Sequence, residues 1–262
     1  LNFTRIQKEG YMSKFFNKLS IIAFLSIILL PSISHAEAAL DPGDLVGISF
    51  WVISIAMVAA TVFFLWEAMR IGGKWSTSLT VAALVTLIAA VHYFYMRDIW
   101  IASGDSPTVY RYVDWVLTVP LQMVEFYLIL AAVGMVAGRV FWHLLIGTLI
   151  MLLGGYFGEI GVLAPVVGFV IGMAGWLYIL YYIFSGEAAK SAESAPAAVQ
   201  SAFKAMRLIV LVGWAIYPLG YVFGYMIPTV DAAALNGIYN VADFVNKIAF
   251  GLMIWSAANS ST

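Results

Sequence analysis

The chain contains no cysteine, which excludes disulfides, zinc–thiolate sites and thiol catalysis. Histidine is nearly as scarce: the three are His35, His92 and His143, and no spacing among them resembles a metal site. Charge is sparse too, at 10% of residues where a soluble domain carries about 25%. The formal net charge of −1 leaves no basic face for nucleic acid. What fills the chain instead is apolar. Of the 262 residues 63% are hydrophobic, and rings are abundant, with 9 Trp, 14 Tyr and 17 Phe. Some of these suit membrane interfaces, but several fall mid-span, where they could grip a flat apolar ligand.

Residues 1–11 resemble neither a domain nor a signal, and Met12 reads as the natural start. From there the pattern over 12–36 is a cleavable secretory signal. Lys14 and Lys18 form a basic head, 19–30 an apolar run, and a small-x-small site places cleavage after Ala36. His35 then has no role beyond the signal. A retained first span fits less well, because the apolar run is short.

The mature chain, 37–262, carries seven apolar stretches at about 45–69, 76–95, 109–133, 140–157, 162–184, 202–227 and 230–258. A helix crosses a bilayer in roughly 20 residues. The longest connection is the Ala/Ser/Glu-rich 185–200. The expected fold is therefore all-α, a seven-transmembrane helix bundle embedded in a lipid bilayer, with no soluble domain left over. Arg70, Lys74, Arg139, Lys190, Lys204 and Arg207 fall in loops or span ends of one side. The excess of positive charge makes that side cytoplasmic. The N-terminus is then outside and the C-terminus cytoplasmic, as in a multi-pass protein of the cell inner membrane.

Lys247 stands out in the last stretch. It lies four residues after Asp243, so a helix puts both on one face, one turn apart. A bare ammonium at mid-membrane costs about 2.5–3.5 kcal/mol on insertion scales. Either the two form a structural ion pair, or Lys247 is an amine kept for covalent chemistry. A desolvated lysine forms a Schiff base with an aldehyde, and a nearby carboxylate holds the resulting cation.

The third stretch is too polar for an ordinary span. At about 100° per residue, Arg111, Asp114, Thr118, Gln122 and Glu125 fall on one side of the helix. Asp114 and Glu125 are separated by roughly 16 Å along the axis. They cannot both touch one cation, but they can serve it from opposite sides, which suits vectorial proton transfer. Asp114 and Asp243 would supply the anions for a cation at Lys247, and Arg111, one turn outward, would keep them ionised. Glu125, among Val, Phe and Leu, would wait as the neutral acid that a donor must be. A buried polar network locking the third span to the seventh accounts for Arg111 and Asp114, but not for the deep glutamate.

Three segments carry a resemblance to microbial rhodopsins, nearest to the proteorhodopsins: Arg111-Tyr112-Val113-Asp114-Trp115 with Thr118-Val119-Pro120 and Glu125; Gly213-Trp214-Ala215-Ile216-Tyr217-Pro218; and Asp243-Phe244-Val245-Asn246-Lys247. The similarity covers all seven stretches. It implies all-trans retinal bound covalently at Lys247 and light-driven outward transport of protons. It also implies Asp114 as primary proton acceptor, Asp243 as second counterion and Glu125 as donor, with Thr118 completing an Asp–Thr–Glu pattern. Trp115, Trp176, Trp214 and Tyr217 match ring positions around the retinal; bundle packing is the alternative for each. Pro218 matches a hinge, with a passive kink as the alternative. Gln122 matches a position that implies blue absorption.

The same resemblance implies that His92 bonds Asp114 and sets the pH at which it takes up a proton. Trp51 would reach this pair from a neighbouring protomer of a pentamer or hexamer. Read on its own, a lone histidine is a satisfied core group. Glu159 is expected as a solvated loop carboxylate, with assistance in proton release as the alternative, and Glu67 and His143 as interfacial groups. No enzymatic turnover and no metal are expected. A photosensor signalling through a partner is the alternative function, although such relatives usually lack a carboxylate at the place of Glu125. A retinal-free seven-helix receptor or carrier is a third.

Overall fold

The computed structural model describes residues 40–134 and 136–261. The segments 1–11 and 12–36, with His35 and the cleavage site, lie outside the described residues. Among those described, seven helices are long and apolar enough to cross a bilayer: α1 Leu45–Ile71, α2 Gly73–Ser103, α3 Thr108–Ala131, α4 Gly138–Glu159, α5 Pro165–Glu193, α6 Ala197–Met226 and α7 Ala232–Ser260. No strand occurs among the described residues.

Local chemistry explains several boundaries. Asp44 caps α1 by accepting from Gly47 N at 2.8 Å, and Asp231 caps α7 by accepting from Ala234 N at 2.7 Å. Pro165 occupies the first turn of α5, where no amide hydrogen is needed. Gly104 ends α2 in the left-handed region at φ 70°.

Two boundaries differ from the hydropathy pattern. α2 runs on to Ser103 rather than stopping near 95, because its charged end is accommodated: Arg97 is buried, 5.7 Å from the Trp51 ring and 3.7 Å from Asp98. The 185–200 connection is mostly helical. Glu187–Glu193 continues α5 beyond a break at Ser185 and Gly186, and Ala197 already opens α6. Alanine and glutamate favour helix whether or not they are apolar, so hydropathy alone does not find these turns.

The bundle keeps its polar groups inside and its apolar groups outside, as lipid demands. On α7 the buried residues include Asn236, Asn240, Asp243, Asn246 and Lys247, whereas Val241 and Val245 are exposed. On α3 they include Arg111, Asp114, Thr118, Gln122 and Glu125. α4 and α5 meet along a glycine seam. A Cβ on Gly154 would come within 2.7 Å of Gly172 N, and one on Gly168 within 2.6 Å of Gly158 Cα. Only small residues allow that approach.

α6 is not one regular helix. Trp214 N donates to Ile209 O at 3.0 Å and Ile227 N to Val222 O at 2.8 Å, so the backbone steps to i→i−5 bonding on both sides of Pro218. Such π-type turns are local insertions that often sit beside working sites.

Candidate functional site

α7 places Lys247 and Asp243 on its inner face one turn apart, and α3 brings Asp114 to meet them. Lys247 Nζ donates to Asp114 Oδ2 and, at 3.0 Å, to Asp243 Oδ2. All three side chains are at most 2% exposed. One cation thus faces two carboxylates in a dry interior.

The two carboxylates are held differently. Asp243 also accepts from Tyr217 OH at 2.7 Å, Tyr93 OH at 2.9 Å and Trp115 Nε1 at 3.2 Å. Asp114 Oδ1 is buried without a hydrogen-bond partner. Thr118 Oγ1 donates to the Asp114 backbone carbonyl at 2.9 Å, not to its carboxylate. Asp243 is therefore the more heavily bonded of the two, with Tyr217, Tyr93, Trp115 and Lys247 as donors, while Asp114 Oδ1 accepts from none of the described residues.

Arg111 lies outward of this group, 1% exposed, and does not ion-pair with either aspartate. Its guanidinium donates to Asn236 Oδ1 at 2.8 Å and Asn240 Oδ1 at 3.0 Å, between the rings of Phe50 and Tyr239. Arg111 thus acts on the aspartates through space, above all on Asp243, while two amides hold its guanidinium in place. Asn240 in turn donates to Ser49 Oγ at 2.9 Å. On the other side, Glu125 is fully buried and neither carboxyl oxygen has a partner. A charge there would have no partner among the described residues.

A cavity enclosing about 770 Å³ of empty space, its open mouth included, adjoins the ammonium. Trp115, Gln122, Trp176, Trp214, Tyr217 and Pro218 all line it, together with Lys247 and Asp243. The sequence-derived box is thus assembled as a set. Gln122 Nε2 is buried without a hydrogen-bond partner at the cavity wall. An elongated apolar aldehyde fits this chemistry: flat aromatic walls, with Lys247 as the one amine among the lining residues.

His92 lies near enough to Asp114 to interact with it electrostatically, but it does not bond it. It is half-buried, with Nδ1 bonded to Ile88 O of its own helix at 2.9 Å, and no hydrogen bond joins it to the aspartate. The α2 residue that reaches the site is its neighbour Tyr93. Trp51, also half-buried, packs edge-on against Phe94 at 5.5 Å. Glu159 is not a solvated loop group: it ends α4, accepts from Tyr112 OH at 2.8 Å and lines the cavity. Glu67 is turned inward, 6% exposed, bonded by Arg70 Nε at 2.8 Å and Trp255 Nε1 at 2.6 Å. His143 is half-buried, bonded through Nδ1 to Tyr178 OH and stacked on Tyr182 at 4.8 Å.

Sequence reasoning missed Tyr93, Asn236, Asn240 and Asn246. A signal existed for the asparagines: Asn236, Asn240, Asp243 and Lys247 recur at helical spacing and define one polar stripe. For Met151, Phe169 and Met173, which also line the cavity, there was none, since lipid-facing and cavity-facing apolar residues have the same composition.

The profile of the family described as bacteriorhodopsin-like protein matches residues 44–261. The chain is 56% identical over 236 residues to the blue-light absorbing proteorhodopsin of Gamma-proteobacterium Hot 75m4, covering 89% of this chain and 94% of that protein. It is 52% identical over 234 residues to the green-light absorbing proteorhodopsin of Gamma-proteobacterium EBAC31A08, with the same coverage. Its structure is similar to the crystal structure of blue light-absorbing proteorhodopsin from Med12, with a TM-score of 0.73 and 52% identity, over 84% of this chain and 100% of that one.

Proposed function

The chain belongs to the bacteriorhodopsin-like family, and from that premise we propose that it is a blue-absorbing, light-driven outward proton pump carrying retinal on Lys247. The observation that carries this reading is the placement of Lys247 Nζ. It is shared by Asp114 and Asp243, opens into an aromatic cavity, and has an isolated buried acid, Glu125, further along α3.

Retinal, joined to Lys247 as a Schiff base, supplies light absorption and a change of shape. The rest is done by the chain's own groups. Asp243, held by Tyr93, Tyr217 and Trp115, stays an anion and stabilises positive charge at Nζ. Asp114, with Oδ1 unoccupied, takes the proton from Nζ. Glu125 returns a proton to Nζ from the opposite direction along α3. Because acceptor and donor lie on opposite sides of one nitrogen, each cycle moves one proton across the membrane. Arg111, clamped by Asn236 and Asn240, lies outward of the acceptor and favours departure of the proton in that direction. Trp115, Trp176, Trp214 and Pro218 shape the cavity, and Gln122 places an amide dipole at its wall.

On this reading the N-terminus is outside, the C-terminus is cytoplasmic, and the protein resides in the inner membrane and turns over no chemical substrate. Half-buried Trp51 and His92 on the α1–α2 face favour contact with a second copy, in a pentamer or hexamer.

The test is to add all-trans retinal to membranes bearing the chain, then measure colour and light-driven pH change together. Colour with acidification of the medium is expected. Colour without acidification favours the photosensor, and no colour removes retinal from the reading.

A further inference from the structure

Pro218 has a consequence three turns of bonding deep. Lacking an amide hydrogen, it cannot serve Trp214 O, and Tyr217 N–H donates there instead at 3.1 Å. That draws Tyr217 N–H away from Gly213 O, its regular helical acceptor. One step earlier, Trp214 N–H bonds Ile209 O at 3.0 Å, which leaves Val210 O without its regular donor. Two carbonyls of α6 are thus displaced from the helical ladder, in a setting where an unmet carbonyl is costly.

Both are met by side chains of other helices. Trp176 Nε1, from α5, donates to Val210 O at 3.1 Å. Asn246 Nδ2, from α7, donates to Gly213 O at 3.1 Å and approaches Tyr217 OH at 3.3 Å. Asn246 is 3% exposed and directly precedes Lys247. The fit is close: a Cβ on Gly213 would lie 2.0 Å from Asn246 Oδ1.

We propose that Asn246 is a positioning residue that latches the bulge of α6 to the Lys247 turn of α7, so that α6 stays shut until the chain moves at Lys247. A side chain that only filled space would not need to donate to a carbonyl orphaned by a proline two elements of bonding away. The latch joins the turn that carries the proton-exchanging nitrogen to a helix whose backbone is already out of register. Its role in timing proton return rests on the pump reading; the latch itself does not.

Two measurements separate these. Hydrogen–deuterium exchange of 209–218 in the full chain in nanodiscs, without added retinal, reads the latch. Asn246→Ala should exchange there about tenfold faster. Gly213→Ala, which pushes the amide off, should do the same. Restoring an amide hydrogen with Pro218→Ala should cancel the effect of Asn246→Ala, since Tyr217 N–H can return to Gly213 O. Unchanged exchange in both single variants, or an equal effect of Asn246→Ala with and without Pro218, overturns the latch. With retinal added, time-resolved absorption should show proton return to Lys247 Nζ about three- to tenfold faster in Asn246→Ala, with the outgoing transfer to Asp114 unchanged. Faster exchange with unaltered proton return keeps the latch and overturns its timing role. A wild-type chain without colour or acidification fails the pump reading, and the exchange data still decide the latch.

Discussion

Asp114 and Asp243 accept from the same ammonium, yet only Asp243 has its other oxygen occupied. That asymmetry is what the proposed roles of proton acceptor for Asp114 and fixed anion for Asp243 rest on. Asp114→Asn should keep colour with added retinal and lower light-driven acidification to background, read with a pH electrode in illuminated vesicles. Acidification at wild-type rate in that variant would remove Asp114 from the transfer.

Asp243→Ala should act on stability first. It leaves Tyr93, Tyr217, Trp115 and Lys247 without a shared acceptor, and breaking a buried pair costs about 3–5 kcal/mol. The expected result is a fall in thermal bleaching temperature well beyond that of Asp114→Asn, measured by following pigment colour on heating.

Glu125→Gln should slow return of the proton to Lys247 by about 10²- to 10⁴-fold, the range for loss of a positioned acid. The pH dependence is signed. With the proton then coming from bulk water, its rate should fall about tenfold for each unit that pH rises, because proton concentration falls by that factor. A wild-type return rate, or one flat with pH, speaks against Glu125 as donor.

Gln122 lines the cavity with an uncommitted amide nitrogen. Gln122→Leu removes that dipole with little change in volume and should move the absorption maximum to longer wavelength. An unmoved maximum sinks the tuning role.

The glycine seam predicts an effect remote from the chemistry. Gly154→Val would place side-chain atoms against Gly172 N and Ile171, and overpacking of this kind costs about 1–3 kcal/mol. A lower melting temperature is expected, with normal colour in the protein that folds.

Periodicity and hydropathy are local, so a good deal could be read from the chain alone. Seven spans follow from apolar runs. The shared face of Arg111, Asp114, Gln122 and Glu125 follows from 3.6 residues per turn, and so does the pairing of Asp243 with Lys247. The His92 expectation shows the limit. Its place next to Tyr93 was legible, but which of the two hydrogen-bonds an aspartate was not, because that depends on how α2 rotates against α7. Glu67 and Glu159 show the same limit, since a carboxylate near a span end looks interfacial until a neighbouring helix supplies Trp255 or Tyr112 as donor.

From sequence alone came the class of molecule, the number of its spans and the identity of its buried charges, since burying any of these groups in lipid is costly wherever helices happen to pack. The ring and indole donors around Asp243, the amide clamp on Arg111 and the bond from Asn246 to Gly213 O were decided only in three dimensions. Each is a hydrogen bond between helices far apart in the chain, and its existence depends on interhelical rotation and spacing of a few ångströms that no local pattern encodes.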